Sequence, residues 1–418
     1  MRILIVSQYF WPESFRINDL ALGLKERGHK VTVLTGMPNY PAGVLFQGYS
    51  MFSPTREVFK DIPVLRVPLI PRGNGKGWRL ALNYLSFAVC ASLIAPLRCK
   101  GTFDCIFVYE PSPVTVGLPA LVLGRLKRAP ILFWVQDMWP ESLSATGAVT
   151  SAFLLRWVGK LVRFIYRRCA YVLVQSEGFI PHVTATGADP LRVKYFPNWA
   201  ENFYRPVLAS DDAPERGEMP EGFRVMFAGN IGAAQSFETL LAAAEHLRSH
   251  PDIQWIILGD GHQKRWVEDQ IVRRGLKDHI HLLGHRPAES MPQYFALADA
   301  LLVSLRKDPL FAVTIPSKVQ SYLACGRPVI AALEGTGAAV VQAAGAGVVC
   351  EPGDSHGLAE AVLTLSRLSS QEREQMGQRA RDYYERQFER SVLLDRLEAM
   401  LQECARNPIR SRGLTCAS

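Results

Sequence analysis

The 418-residue sequence lacks the patterns that mark the common metal and nucleophile sites. Its eight cysteines form no C-x-x-C pair, and there is no H-E-x-x-H, G-x-S-x-G, G-x-x-x-x-G-K-[ST] or D-x-D motif. His279, His281 and His285 lie close in sequence, but their spacing is not typical of a zinc site. We therefore expect no metal and no cofactor. We expect the cysteines to be reduced core residues of a cytoplasmic protein.

The composition also lacks any extreme. Charged residues make up 21% and apolar residues 48% of the chain, which excludes a disordered protein, a collagen and a long coiled coil. A chain of this length is expected to hold two domains, or three.

The net charge of +8 is unevenly distributed. Residues 1–200 hold 23 Lys and Arg against 11 Asp and Glu, whereas residues 201–418 hold 24 against 28. The first half is therefore expected to meet an anionic membrane, nucleic acid or phosphorylated ligand. Because no recognised nucleic-acid-binding motif is present, nucleic acid is not expected as a partner.

Short apolar runs alternate with amphipathic stretches along most of the chain. The runs are Ile3–Ser7, Val31–Thr35, Val64–Val67, Cys105–Tyr109, Ile131–Gln136, Tyr171–Gln175, Val193–Phe196, Val225–Ala228, Trp255–Leu258, Ile280–Leu283, Ala300–Ser304, Val329–Ala332 and Gly347–Cys350. Strands that alternate with helices predict a parallel sheet covered on both faces. Two such series predict an α/β protein of two doubly wound, Rossmann-like domains that face a central cleft.

Changes in composition predict the domain boundaries. Residues 201–222 are rich in Pro, Asp, Glu and Gly, which is typical of a linker. Residues 1–200 then form a first domain and 223–370 a second. Residues 371–405 have a helical pattern and are expected to pack back on the first domain, and 406–418 form a tail.

Polar and glycine-rich loops follow several strands, where ligands bind in open α/β sheets. Glycines after a strand let backbone N–H groups approach a phosphate at a helix N-terminus. The alternative is a tight turn between strand and helix. The loop residues are Gly229, Asn230, Gly232, Gly259, Asp260, His285 and Arg286.

Two further loops carry candidate functional residues. Ser317 is a predicted N-cap of the helix Val319–Cys325, and Lys318 places a cation in its first turn, where the helix dipole disfavours one. An anionic ligand would explain Lys318, and a solvated lysine is the alternative. Asp137 follows a central strand and is a candidate base or hydroxyl-binding group, or else an N-cap.

Two apolar segments of the first domain bear on membrane binding. Arg156, Lys160, Arg163 and Arg167 recur at helical spacing beside aromatic and aliphatic residues, which fits a helix lying on an anionic membrane. A core helix with a solvated basic stripe remains the alternative. Leu80–Leu97 is uncharged and could span a membrane, lie at its interface or belong to the core.

Several motifs resemble those of family-4 retaining glycosyltransferases of the GT-B fold, over about residues 1–405. The matching segments are Phe10–Glu13, Arg27–Thr35, Gly229–Gly232, Gly259–Gly261, Leu283–Gly284, Ala324–Ile330, Gly347–Val349 and Pro352–Asp354. Gln136–Glu141 and Tyr195–Trp199 resemble a branch of bacterial O-antigen and capsule glycosyltransferases that includes L-fucosamine transferases.

This resemblance implies metal-independent transfer of a sugar, with retention of configuration, from a nucleotide donor bound by the second domain to an acceptor bound by the first. Gly229 and Asn230 would meet the diphosphate, residues 284–286 the base, and the backbone around Ser317 and Lys318 the phosphates and sugar. The branch implies a UDP-sugar as donor, with an N-acetylated deoxyhexosamine as one candidate for the sugar. It also implies a polyprenyl-diphosphate-linked saccharide as acceptor, hence a peripheral enzyme on the inner face of the cytoplasmic membrane.

The sequence departs from the family in two places. Val313 and Ser321 stand where the family often has two glutamates, the second of which usually holds ribose hydroxyls. The family's Arg and Lys after the first glycine loop are also missing. Because the leaving diphosphate gains negative charge, we hypothesise that Lys318 takes their role, with Arg16 or Arg306.

Two alternatives remain open at this stage. The missing glutamates would suit a lapsed transferase that acts as a membrane-bound assembly partner. A nucleotide-sugar epimerase of similar fold is the other, although epimerases need more acidic and histidine residues than these loops supply.

Overall fold

The computed structural model describes residues 1–51, 56–73, 75, 77–145, 149–208 and 213–406. Asp211 and Asp212 of the predicted linker and the predicted tail from residue 407 lie outside these residues. The chain divides into two compact units. Unit 1 is Met1–Phe196 with the C-terminal segment that begins at Leu394, and unit 2 is Pro197–Leu393.

Unit 1 is built on an eight-stranded sheet in the order β3-β4-β2-β1-β5-β6-β7-β8. Its strands are Arg2–Val6 (β1), Lys30–Gly36 (β2), Arg56–Phe59 (β3), Ile62–Val67 (β4), Cys105–Glu110 (β5), Ile131–Val135 (β6), Tyr171–Val174 (β7) and Val193–Tyr195 (β8). All neighbouring strands are parallel except β3 and β4. Every residue of β5, β6 and β7 is buried, as expected for central strands covered on both faces.

Helices cover the sheet of unit 1. They are Arg16–Glu26 (α1), Gly77–Arg98 (α2), Gly117–Lys127 (α3), Glu141–Ala145 (α4), Ala152–Tyr166 (α5) and Phe179–Thr186 (α6). α2 packs beside α3, and α3 packs beside α5. The outer surface of this row of helices exposes several large apolar side chains.

Unit 2 is built on a six-stranded, fully parallel sheet in the order β11-β10-β9-β12-β13-β14. Its strands are Phe223–Ala228 (β9), Ile253–Leu258 (β10), Ile280–Gly284 (β11), Ala300–Ser304 (β12), Val329–Ala332 (β13) and Gly347–Cys350 (β14). Side chains alternate between two apolar clusters along β9: Met226 belongs to one and Phe227 to the other. Both faces of the sheet are therefore buried, which is the doubly wound arrangement.

The helices of unit 2 follow its strands in turn. They are Phe237–His246 (α7), Lys264–Arg273 (α8), Met291–Leu297 (α9), Pro309–Ala312 (α10), Ser317–Ala324 (α11), Gly335–Ala343 (α12), Ser355–Ser366 (α13) and Ser370–Gln387 (α14), and the last helix of the chain is Arg390–Arg406 (α15). α14 packs on α11 within unit 2. From Leu394 on, α15 belongs to unit 1, where Arg27 pairs with Asp395 and the Cys105 thiol donates to the carbonyl of Leu401. The structure thus separates two helices that the sequence analysis placed together on the first domain.

Candidate functional site

The loops that follow β9 and β10 form a cradle in which backbone lies directly against backbone. A Cβ at Gly259 would lie 1.8 Å from the carbonyl oxygen of Gly229, so only glycine fits there. The backbone N–H of Ile231 donates to the carbonyl of Asp260 (2.8 Å), which ties the loop after β9 to the loop after β10. Asn230 and Gly232 lie in the same cradle. Backbone packed this closely can bring its N–H groups against a phosphate.

Lys318 lies beside this cradle. A Cβ at Gly229 would come within 2.6 Å of Cε and 3.0 Å of Nζ of Lys318, and Nζ stands 3.6 Å from the centroid of the Phe227 ring. No hydrogen bond or ion pair to Lys318 is found among the residues that the structure describes. Burial lowers the pKa of this lysine to about 7. A partly buried cation that lies over an aromatic ring and beside glycine backbone, with no carboxylate paired to it among the described residues, is suited to an anionic ligand.

The helix α11 fixes Lys318 in this position. Tyr322 lies one turn after Lys318, and its hydroxyl accepts the backbone N–H of Ala228 at the end of β9 (3.2 Å). The sequence analysis was wrong about the start of this helix: Pro316 occupies the N-cap, and Ser317 is the first helical residue. Proline suits the position because it has no N–H that would need a partner. The hydroxyl of Ser321 donates to the carbonyl of Ser317.

The other predicted donor-binding residues of unit 2 lie after β10 and β11. Asp260 is exposed, and its carboxylate accepts the backbone N–H of Gly261. His285 is exposed. The guanidinium of Arg286 donates to Glu218 and to the hydroxyl of Tyr294, both at 2.9 Å, so it holds the segment before β9 against α9.

In unit 1 a second group of polar residues lies at the carboxyl ends of β5 and β6. Asp137 follows β6, where burial raises its pKa and the neighbouring Ser142, Trp139 and Met138 N–H act in the opposite direction. Ser112, after β5, lies beside both Asp137 and Tyr84 of α2 and lowers the pKa of each. Glu110, the last residue of β5, is fully buried, and burial holds its pKa well above the usual range. This group can bind hydroxyls and exchange protons.

Tyr84, Arg72 and Glu110 were missed by the sequence analysis. Tyr84 lies in the uncharged stretch 80–97, where the neighbouring polar residue Asn83 was the available signal. Arg72 stands 4.9 Å from the centroid of the Tyr40 ring and acts electrostatically on both Tyr9 and Tyr84. Arg16 is the first residue of α1. Burial raises the pKa of Tyr109 to about 12, and the positive charge of Arg16 acts in the opposite direction.

Glu13 of the Phe10–Glu13 motif has a structural task. Its carboxylate accepts the backbone N–H groups of Phe10, Asn39 and Tyr40, which joins the loop after β1 to the loop after β2. Burial raises its pKa to about 7, although these three bonds act in the opposite direction.

The basic residues of α5 are all exposed. Arg156, Lys160 and Arg167 point their charges to solvent, and Nζ of Lys160 lies 4.6 Å from the centroid of the Trp157 ring. Nε of Arg156 donates to the carbonyl of Ala152 in the same helix (3.4 Å), whereas Nε of Arg163 donates to the carbonyl of Thr186 in α6 (3.1 Å).

Comparison with known proteins identifies this architecture. Residues 14–199 match the family model described as the glycosyl transferase 4-like domain, and residues 211–383 match that of the glycosyl transferases group 1. The chain is a glycosyltransferase of the GT-B fold. Its two Rossmann-like units correspond to the two domain models.

The similar curated proteins are bacterial glycosyltransferases. WcaI of Escherichia coli K12, described as a colanic acid biosynthesis glycosyl transferase, is 26% identical over 78% of this chain and 82% of its own length. WbjE of Pseudomonas aeruginosa, described as a glycosyltransferase, is 28% identical over 60% of this chain and 64% of its own length. The crystal structure of HepE from Anabaena in complex with UDP has the same fold, with a TM-score of 0.71 at 18% identity over 96% of this chain and all of that one. The chain is thus similar to glycosyltransferases that act in polysaccharide biosynthesis.

Proposed function

We propose that this glycosyltransferase moves a sugar from a UDP-sugar, with retention of configuration and without a metal, to a lipid-linked saccharide in O-antigen, capsule or exopolysaccharide biosynthesis. The observation that carries the proposal is Lys318, a partly buried cation against the glycine cradle of unit 2, to which no carboxylate of the described residues is paired. Such a cation suits a diphosphate.

Lys318 meets a chemical need that the missing family cations leave open. When the glycosidic bond of the donor breaks, negative charge grows on the nucleoside diphosphate, and only groups that stabilise this growing charge speed the reaction. A lysine with a pKa near 7 is easily reprotonated when an anion arrives, because the anion favours the charged form. With the backbone N–H groups of the cradle, Lys318 would supply the positive potential that a metal supplies elsewhere.

The choice of donor and acceptor follows from the relatives and from unit 1. UDP is favoured because HepE, of the same fold, was crystallised with UDP. WcaI is described as acting in colanic acid biosynthesis, which supports an acceptor of the polysaccharide class. The group around Asp137 would bind the acceptor hydroxyl, and the exposed cations of α5 would hold unit 1 to an anionic membrane at the cytoplasmic face.

The proposal is tested by thermal unfolding with UDP, GDP, ADP and dTDP, first without metal and then with Mg²⁺. A ligand at about 100 times its dissociation constant stabilises a protein by roughly 2.7 kcal/mol, which is a visible shift. We expect a shift with UDP that needs no Mg²⁺. We expect Lys318→Ala to raise the dissociation constant of UDP by about tenfold or more, since hydrogen bonds to charged groups contribute about 1.5–3 kcal/mol.

Lys307→Ala is the matched control, because Lys307 is an exposed lysine of the same unit, 4.0 Å from Glu334. It should bind UDP like the wild type. A wild type that responds to no nucleotide, or a Lys318→Ala variant with unchanged UDP affinity and turnover, would refute the assignment of this site.

A further inference from the structure

The outer surface of α2 is a continuous apolar stripe. Spacings of three and four residues place its exposed side chains on one face of the helix. Leu93 is 69% and Leu97 79% exposed. The stripe consists of Trp78, Leu82, Leu85, Val89, Leu93 and Leu97. An exposed apolar surface of this length normally marks an interaction site.

The opposite face of α2 is fixed in the core of unit 1. Phe87, Ala91 and Ala95 are fully buried there. The side chain of Asn83 accepts from Gln8 (2.7 Å) and donates to the carbonyl of Ile70 (2.7 Å). By length and composition alone α2 could cross a membrane. If α2 crossed the membrane, its packed face would lose its contacts and buried hydrogen bonds with the rest of unit 1. The structure therefore favours a helix that lies along the membrane surface.

The apolar surface continues beyond α2. α3, which packs between α2 and α5, exposes Leu126. α5 then exposes Phe153, Leu154 and Trp157 beside its cations. Aromatic and aliphatic side chains mixed with Lys and Arg match the two layers of an anionic bilayer surface, the acyl boundary and the charged headgroups.

We propose that the stripe of α2 lies within the interfacial layer of an anionic phospholipid bilayer, parallel to its plane, and forms one membrane-binding surface with α5. This deepens the proposed function, on which its biological role rests. Two anchoring elements, α2 and α5, would bind the membrane more stably than either alone, because a single short apolar anchor gives only reversible membrane binding.

The position of α2 also relates this surface to the polar group of unit 1. Tyr84 lies beside Ser112, which in turn lies beside Asp137, while its chain neighbour Leu85 belongs to the stripe. A helix is about 10 Å across with its side chains, so the group around Asp137 would sit about one helix diameter from the headgroups. A lipid-linked acceptor could then present its sugar while its lipid stays in the bilayer.

The test uses co-sedimentation of the full chain with vesicles of phosphatidylglycerol and phosphatidylcholine. The variant Val89→Glu/Leu93→Glu places two charges in the middle of the stripe, and we expect it to bind at least about tenfold more weakly. Leu208→Glu/Val272→Glu is the matched control, since both residues are exposed and apolar and lie in unit 2. It makes the same change in charge and should bind like the wild type.

Three outcomes would overturn the inference. The first is unchanged vesicle binding of Val89→Glu/Leu93→Glu. The second is wild type that stays in the bilayer after an alkaline carbonate wash, which would mean that α2 spans it. The third is a wild-type dimer in size-exclusion chromatography that this variant dissociates, which would assign the stripe to a second copy of the chain.

The same variant separates the inference from the proposed function. Its thermal unfolding and its UDP shift, measured without vesicles, should equal those of the wild type, which shows that unit 2 is intact. If UDP does not shift the thermal unfolding of the wild type, the donor site is refuted, and the membrane-binding surface is unaffected by that result.

Discussion

The role that we propose for Lys318 rests on an environment that is unfavourable for a lysine without a ligand. Its ammonium is buried against an aromatic ring and glycine backbone, and no carboxylate in the described part of unit 2 forms an ion pair with it. The protein tolerates a charge there that the fold does not need. That cost is typical of functional sites, where local rules are broken for a ligand.

The depressed pKa of Lys318 predicts how stability depends on pH. Its pKa is about 7 in the folded protein and 10.5 in the unfolded chain, so between these values the unfolded chain holds one more proton and stability rises with pH. Below pH 7 the full cost of burying the charge is present. Lys318→Met should therefore melt higher than the wild type at pH 6, and this advantage should shrink by pH 9.

Thermal melts without nucleotide at the two pH values measure this effect. Lys307→Met controls for the loss of a lysine, because the side chain of Lys307 is 71% exposed. An advantage of Lys318→Met that is equal at pH 6 and pH 9 would show that Lys318 is not desolvated.

The roles of some residues could be predicted from the sequence, and the roles of others could not. The glycine loop and Lys318 could be selected because glycine after a strand and a cation in a first helical turn are visible in the sequence. The roles of Glu13 and Tyr84 could not, because each is defined by partners distant in the chain, Asn39 for one and Ser112 for the other. Burial of a polar side chain is a property of the fold.

At the scale of elements, uncharged apolar runs were predicted well, and a strand that contains charged residues was not. The bounds of β12, β13 and β14 agree with the sequence analysis at both ends: β12 and β13 are buried runs, and β14 is a half-buried apolar run. β3 was missed. Its four residues include two charged ones, and it is held by antiparallel pairing with β4 rather than by burial.

Helix α5 predicts a dependence of membrane binding on charge. Arg156, Lys160 and Arg167 are exposed, and each basic residue near an anionic surface contributes about 1 kcal/mol. Changing all three to Gln should weaken binding to phosphatidylglycerol vesicles by about a hundredfold at low salt, and by less at high salt because screening already weakens the wild type. Arg163 is left in place, since it also bonds to Thr186.

The matched control for α5 replaces three exposed cations of unit 2, Arg265, Arg273 and Lys277, with Gln. It changes the net charge equally and should leave vesicle binding unchanged. If both triple variants lose affinity alike, binding follows total charge and α5 has no special place in it.

For the whole molecule, the uneven charge of the chain and its division into two units suggest a division of labour. The excess of positive charge lies within residues 1–200, and so does the apolar stripe of α2, whereas the glycine cradle and Lys318 lie in unit 2. Each unit has its own sheet and core. A soluble nucleotide and a membrane can therefore be recognised by separate folded units of one chain.

This division predicts two different patterns of backbone protection in hydrogen exchange. UDP alone should most strongly slow exchange at residues 229–232, 259–261 and the first turn of α11, because a bound diphosphate would stabilise these loops against local opening. Anionic vesicles alone should slow exchange in α2 and α5 and leave the cradle unchanged. Lys318→Ala should abolish the UDP pattern only, and Val89→Glu/Leu93→Glu should diminish the vesicle pattern only. If UDP leaves the cradle unprotected, or if vesicles protect the cradle rather than α2, the two functions are not divided between the units as proposed.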